Sequence, residues 1–334
     1  MVKTQMNLSP INRIRWGILG AGNIAHRFAR ALSIVDGCSL YAISGRKREK
    51  LLAFQKRFPC EKIYTDYQEL IDDPLVDAVY ISLPHDLHKE WALKALQAKK
   101  AVLCEKPAAI DASEVSEMIT EAKKQNCLFM EAMKSRFTPA YRKLYQLVNE
   151  GAIGAITSID TCICFEIPKD QYGKTYHTIP GRGAGALLDS GIYCASLLLN
   201  FEKGMPVVKD SYVILQNGID IYDDISLQFS DSTGRLTVGF DRTKTRKAQI
   251  TGTTGSIDID DFHRPSEFRL ARGDTSQRYQ IPYDHDDMYS EIQHFCSLLS
   301  AGKTESEIMS WHDSLQCAQL LDLIRDSYDR RKLL

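Results

Sequence analysis

The sequence has no excess of charge of either sign. Its 42 Lys and Arg offset 43 Asp and Glu to leave a formal net charge of −1, and its basic residues gather into no long block. Nucleic acid and anionic membrane surfaces are therefore not expected partners. No apolar run approaches the ~20 residues that a membrane span needs. The first twelve residues are polar and lack the apolar core of a signal peptide. The nine cysteines are scattered and contain no C-x-x-C pair. Several fall inside apolar runs, which favours buried thiols in a reducing compartment over disulfides or zinc. The expectation is a cytoplasmic protein. Absent too are a zinc-protease motif, G-x-S-x-G and a P-loop.

What is present is alternation. From Ile14 to about Phe129, short apolar runs (Arg15–Leu19, Cys38–Ile43, Asp77–Leu83, Ala101–Cys104) alternate with segments of helical spacing. Strands that are apolar throughout are buried on both faces, so this half predicts a doubly wound parallel sheet with helices on both sides. After about Ala132 the texture changes. Helices are expected over Arg136–Asn149, Gly185–Leu199, Asp286–Leu299 and Ser310–Tyr328. Between Ile156 and Ile259, alternating strands are punctuated by Asn217-Gly218 and Asp231-Ser232-Thr233-Gly234 turns. The fold class is thus α/β. A Rossmann-type domain spans residues 1–132, with a polar extension at 1–12, and an α+β domain with a large, mainly antiparallel open sheet spans 133–334.

The chemistry-bearing positions fall at strand ends. Gly20-x-Gly22-x-x-Ala25 follows the first strand and opens a helix. That context supplies a tight turn, close backbone approach to a pyrophosphate and free N–H groups at the helix start, near Asn23 and Ile24. At the end of the second strand, Ser44-Gly45-Arg46-Lys47 stands where a carboxylate commonly meets a ribose 2′-hydroxyl. Ser44 can donate a hydrogen bond there, and Arg46 or Lys47 can pair with a 2′-phosphate, so NADP(H) is preferred and NAD(H) remains possible. Glu105-Lys106-Pro107 ends the fifth strand, where Pro107 holds Lys106 in extended geometry at the sheet's ligand-binding edge. His85 and His88 have no third ligand nearby, and no metal is expected. Asp284-His285-Asp286-Asp287 reads as a solvated loop whose acids favour the start of the next helix.

These motifs, in this order, resemble the glucose–fructose oxidoreductase/inositol dehydrogenase (Gfo/Idh/MocA) family across nearly the whole chain. The segments are Leu19–Ala25, Val79–His88 with Leu83-Pro84-His85, and Val102–Pro107. Glu131–Pro139 and Gly185–Tyr193 are similar to the branch of trans-dihydrodiol and xylose dehydrogenases. The resemblance implies that Lys106, Asp189 and Tyr193 line a substrate pocket, and that Leu83, Pro84, His85, His88 and Glu105 lie along the cofactor. Tyr193 then acts as general acid/base, with Lys106 keeping its pKa useful. It implies hydride transfer between nicotinamide and a secondary alcohol or carbonyl of a small sugar, polyol or cyclic diol, in a homodimer formed through the C-terminal sheet. Lys134 departs from the tryptophan common in that branch, and Pro168–Arg182 matches poorly. Some members bind the dinucleotide without catalysis, and a non-catalytic sensor is the alternative.

Overall fold

Every apolar run before residue 133 becomes a strand whose two faces are covered. The computed structural model describes residues 13–181 and 183–329, so the polar extension expected at 1–12 lies outside the described residues. The strands β1 (Ile14–Leu19), β2 (Cys38–Ser44), β3 (Lys62–Tyr64), β4 (Ala78–Ile81), β5 (Ala101–Glu105) and β6 (Phe129–Ala132) share one sheet in the order β3-β2-β1-β4-β5-β6. All its pairings are parallel. Every residue of β4 is buried, which is why its sequence does not alternate. The strand order reverses between β1 and β4. In such sheets that switch point opens a crevice beyond the carboxyl ends of the strands.

The helices α1 (Asn23–Leu32), α2 (Arg48–Arg57), α3 (Tyr67–Asp72), α4 (His88–Gln97) and α5 (Ala112–Gln125) connect these strands. Helix α1 buries Ala25, Phe28, Ala29, Ala31 and Leu32. Its Phe28 stacks on Tyr80 of β4 with ring centroids 3.8 Å apart, which fixes the glycine turn over the crevice.

A second sheet contains β7 (Ile156–Cys164), β8 (Val207–Gln216), β9 (Ile219–Gln228), β10 (Thr233–Gly239), β11 (Lys247–Gly252), β12 (Ser256–Asp260), β13 (Glu267–Arg272) and β14 (Thr275–Gln280). Its order is β14-β13-β12-β11-β7-β10-β9-β8, antiparallel except for β7 beside β10. Register explains its two faces. Ser226, Arg235, Asp160, Gln249, Asp258 and Arg269 lie opposite one another in one polar row. One residue away, Ile225, Leu236, Thr161, Ala248 and Ile259 form a buried row. The sequence reading omitted β13 and β14. Their signal was the alternation of Phe268 and Leu270 before a turn at Gly273, where φ is +52°.

Several helix boundaries differ from expectation, among them the start of α8, which falls at Tyr289 and not at Asp286. The helix expected from Arg136 begins instead at Pro139, as α6 (Pro139–Asn149), after a short 3₁₀ turn. Pro139 suits a first helical position, and the Thr138 side chain caps it by accepting the Tyr141 N–H. The segment expected as one helix from Gly185 opens with a π-helical turn, Leu187–Gly191, before α7 (Ile192–Phe201). The last helices, α8 (Tyr289–Ser300) and α9 (Trp311–Asp329), pack back onto the first sheet. Trp311 Nε1 donates to the Phe129 carbonyl at 3.0 Å, and Asp322 accepts from the Ala112 N–H at 2.9 Å. All nine cysteines are free thiols and most are buried.

Candidate active site

The crevice between β1 and β4 is a cleft of about 730 Å³ that runs from the glycine turn to Tyr193. Its two halves are built differently. In the first, Gly20 adopts φ +97°, and a Cβ there would stand 2.8 Å from the Ser82 carbonyl oxygen. The position therefore demands glycine. Gly22 caps α1 without a side-chain hydrogen bond, and a Cβ there would meet nothing within 4 Å. The first N–H groups of α1 thus open onto the cleft beside Asn23 and Ile24, an arrangement that fits a pyrophosphate.

Gly45, Arg46 and Lys47 line the same half, together with Lys50, which the sequence reading passed over. Ser44 does not. It is fully buried and its hydroxyl donates to the Asp66 carbonyl at 2.9 Å, so the expected hydrogen bond to a 2′-phosphate has no donor there. The strand end points Ser44 toward the β3–α3 turn and leaves the two cations to face the cleft.

Leu83, Pro84, His85 and His88 form the floor. His88 is fully buried, with Nδ1 2.9 Å from the Pro107 carbonyl and Nε2 2.8 Å from the Leu83 carbonyl, and its neutral ring can donate to one of them. The ring thus packs between the loop after β4 and the turn that carries Lys106. His85 Nδ1 lies 2.8 Å from the Gly183 carbonyl. Burial, His88 and Lys106 push the His85 pKa down to about 3, so its ring is neutral and donates from Nδ1.

The second half is a set of buried ionisable side chains. Lys106, at the end of β5, donates from Nζ to the Asp189 carbonyl oxygen at 2.6 Å and to Asp189 Oδ1 at 3.0 Å. Both side chains are nearly closed to solvent, 12% exposed each. Burial works against the Asp189 carboxylate, but Lys106 and His177 outweigh it and hold its carboxyl well below the usual range. Tyr193 lies one helical turn beyond Asp189, and the Lys106 ammonium stands 5.0 Å from its ring centroid. The structure thus brings the three expected residues together.

It corrects how they are tuned. Burial first, then Glu105, Asp189, Glu291 and Asp287, push the Tyr193 phenol well above its ordinary value. Lys106 faces the ring and is outnumbered by those carboxyl groups, so it does not bring the phenol into a neutral range. The Tyr193 phenol accordingly keeps its proton at neutral pH.

Four further residues of this half escaped the sequence reading as functional. Tyr176 and His177 come from the poorly matching segment after Pro168 and line the cleft, ring centroids 3.7 Å apart. Asp287, expected in a solvated loop, is only 5% exposed and pairs with both Arg27 and Lys134, the latter at 3.3 Å. It is a buried counter-ion rather than a helix-start acid. Glu291 is fully buried, and burial and then Glu105 push its carboxyl well above the ordinary range. Their polar identities look like surface chemistry in sequence, and only the tertiary fold joins them. Among the described residues no group of three His, Cys, Asp or Glu could hold a metal ion.

A glycine turn at a sheet switch point, joined by a lysine–aspartate–tyrosine set, defines a nicotinamide-dependent oxidoreductase. Comparison with known proteins agrees. Residues 14–133 match the model of the oxidoreductase family with an NAD-binding Rossmann fold, Gfo/Idh/MocA, and residues 141–258 match a C-terminal domain of the same family. The chain belongs to this family. It is similar to trans-1,2-dihydrobenzene-1,2-diol dehydrogenase of Xenopus tropicalis, 32% identical over 92% of this chain and 96% of that one. It is also similar to the NADP⁺-dependent scyllo-inositol 2-dehydrogenase IolU of Bacillus subtilis (strain 168), 30% identical over 93% and 96%. Among solved structures, KijD10, a 3-ketoreductase from Actinomadura kijaniata in complex with NADP and TDP-benzene, superposes with a TM-score of 0.84 at 27% identity, covering 94% of this chain and 98% of that one.

Proposed function

We propose that the protein moves a hydride between NADP(H) and a carbon bearing a secondary alcohol or carbonyl, in a small sugar, polyol or cyclic diol. The observation that carries this is the Lys106–Asp189 pair beside Tyr193, buried in the cleft that begins at the glycine turn. The glycine turn would take the pyrophosphate, and Arg46, Lys47 and Lys50 would meet a 2′-phosphate. NADP supplies the hydride acceptor or donor when bound.

The protein's own residues do the rest. Lys106 keeps one ammonium proton free after its two bonds to Asp189, and that proton orients the reacting oxygen. Tyr193 holds its proton firmly, so the resting site is set to protonate a carbonyl oxygen as hydride arrives. In the oxidation direction the acceptor is the phenolate, so the phenol must first lose its proton, and burial and the surrounding carboxyl groups oppose that step. Support for the substrate class comes from relatives that act on a diol and an inositol. Val207, Tyr212 and Leu215, exposed on the edge strand β8, favour a homodimer that covers part of the second sheet.

The test is reduction of NADP⁺, beside NAD⁺, with a panel of aldoses, inositols and cyclic diols, running Lys106→Ala in parallel. Turnover that falls at least 100-fold in the variant is expected. Tight NADP⁺ binding with no turnover anywhere on the panel would favour a non-catalytic sensor instead.

A further inference from the structure

The segment between β7 and the π-helical turn carries an imidazole into the cleft. His177 Nδ1 sits 3.4 Å from Asp189 Oδ1, the same oxygen that accepts from Lys106. That nitrogen is closed to water and makes no hydrogen bond among the described residues, while the side chain as a whole is 27% exposed. The exposed edge of the ring is therefore the Nε2 edge. We assign the ring the tautomer with its proton on Nδ1, beside the carboxylate, which leaves the Nε2 lone pair toward the cleft.

The position is held firmly. The His177 carbonyl accepts from the Gly185 N–H at 3.0 Å, and Gly185 adopts φ +120° where a Cβ would stand 2.1 Å from Asp220 Oδ1. Tyr176 packs against the His177 ring, tilted by 36°, and sets its own ring 5.4 Å from that of His85, edge to face. Asp189 thus stands between two groups, a lysine from β5 and a histidine from the connecting segment.

Resting on the function proposed above, we infer that His177 is a substrate-binding and positioning residue that selects substrates with a hydroxyl next to the reacting carbon. Lys106 has one N–H left and offers it to the reacting oxygen. His177 Nε2 offers an acceptor beside it, and a neighbouring hydroxyl can donate to it. One donor and one acceptor flanking a single carboxylate oxygen complement a diol, not an isolated alcohol. Through Nδ1 the same ring also keeps the Asp189 carboxylate aligned on Lys106.

Two variants separate these contributions, measured with the best substrate of the panel and its analogue lacking the adjacent hydroxyl. His177→Asn keeps a donor where Nδ1 stands and loses the acceptor. It is expected to raise KM about 3- to 10-fold, one neutral hydrogen bond, with kcat little changed. His177→Phe loses both contacts and should lower kcat about 10- to 100-fold as well. On the analogue, the wild type should show the raised KM already and His177→Asn should add nothing. Fluorescence titration with NADPH is expected to give the same affinity for all three proteins. Unchanged kcat and KM in both variants, or a KM penalty on the analogue that adds to that of His177→Asn, would overturn the inference. If His177→Phe fails to fold, the comparison of His177→Asn on the two substrates decides alone. A wild type without turnover on the whole panel would instead strike at the proposed function itself.

Discussion

The two halves of the cleft are made of different material. The glycine-turn half uses backbone geometry and exposed cations, drawn from residues adjacent in sequence at the ends of β1 and β2. The half around Lys106 uses buried ionisable side chains brought from β5, the segment carrying His177, the π-helical turn and α8. A backbone site tolerates substitution of its side chains because few of them make the contacts. A buried ionic site does not, because removing one partner strands the other in a low dielectric. The contrast predicts that damage in the second half falls on the chemical step, and damage in the first on cofactor affinity.

The largest effect should come from Tyr193→Phe. The ring packs against His263 at 5.6 Å and against the Lys106 ammonium, and phenylalanine keeps both contacts. Only the proton is lost. Under the proposed function, kcat should fall about 10²- to 10⁴-fold, the range for a removed general acid, with NADPH affinity unchanged. A variant that turns over at the wild-type rate would break the contrast at its centre, because the second half would then be packing alone.

The same difference governed what could be read from the sequence. Gly20 and Gly22 were legible because a turn is a local property, and so were the buried parallel strands, whose sequence is apolar without alternation. Lys106 was legible because its strand and the following proline fix its place. Asp287 was misread because an acid near a helix start has a sufficient local explanation, while its partners Arg27 and Lys134 are remote in sequence. Ser44 was misread because a strand's last residue can turn either way, and it turned toward Asp66. His177 carried no pattern at all.

Glu131, on β6, gives the next effect. It is 1% exposed, its Oε1 accepts from the Ala108 N–H at 2.9 Å just past Lys106-Pro107, and its Oε2 has no hydrogen-bond partner among the described residues. Burial pushes its pKa up to about 7. The folded state thus binds this proton more tightly than the unfolded chain. Its contribution is fully present below about pH 4.5 and is lost as pH rises to about 7. Burial of this depth makes that loss about 3 kcal/mol. Glu131→Gln cannot ionise, so chemical denaturation from pH 4 to 8 should show the variant gaining on the wild type by that order. Parallel stability curves would mean that the carboxyl ionises freely, and that this half is less dry than its packing implies.

The smallest effect belongs to the first half and tests its softness. Arg46 and Lys47 are exposed at the cleft mouth, with Arg46 beside Tyr67. Exposed charges are screened, so each contact to a 2′-phosphate is worth about 1 kcal/mol. The double variant Arg46→Ala/Lys47→Ala should weaken NADPH binding about 10- to 30-fold, leave NADH binding unchanged, and lose most of its effect at high salt. Equal weakening toward both cofactors would show that these cations support the turn instead of reading the phosphate. The glycine-turn half would then depend on side-chain packing after all, and would resemble the buried half more than its exposed cations suggest.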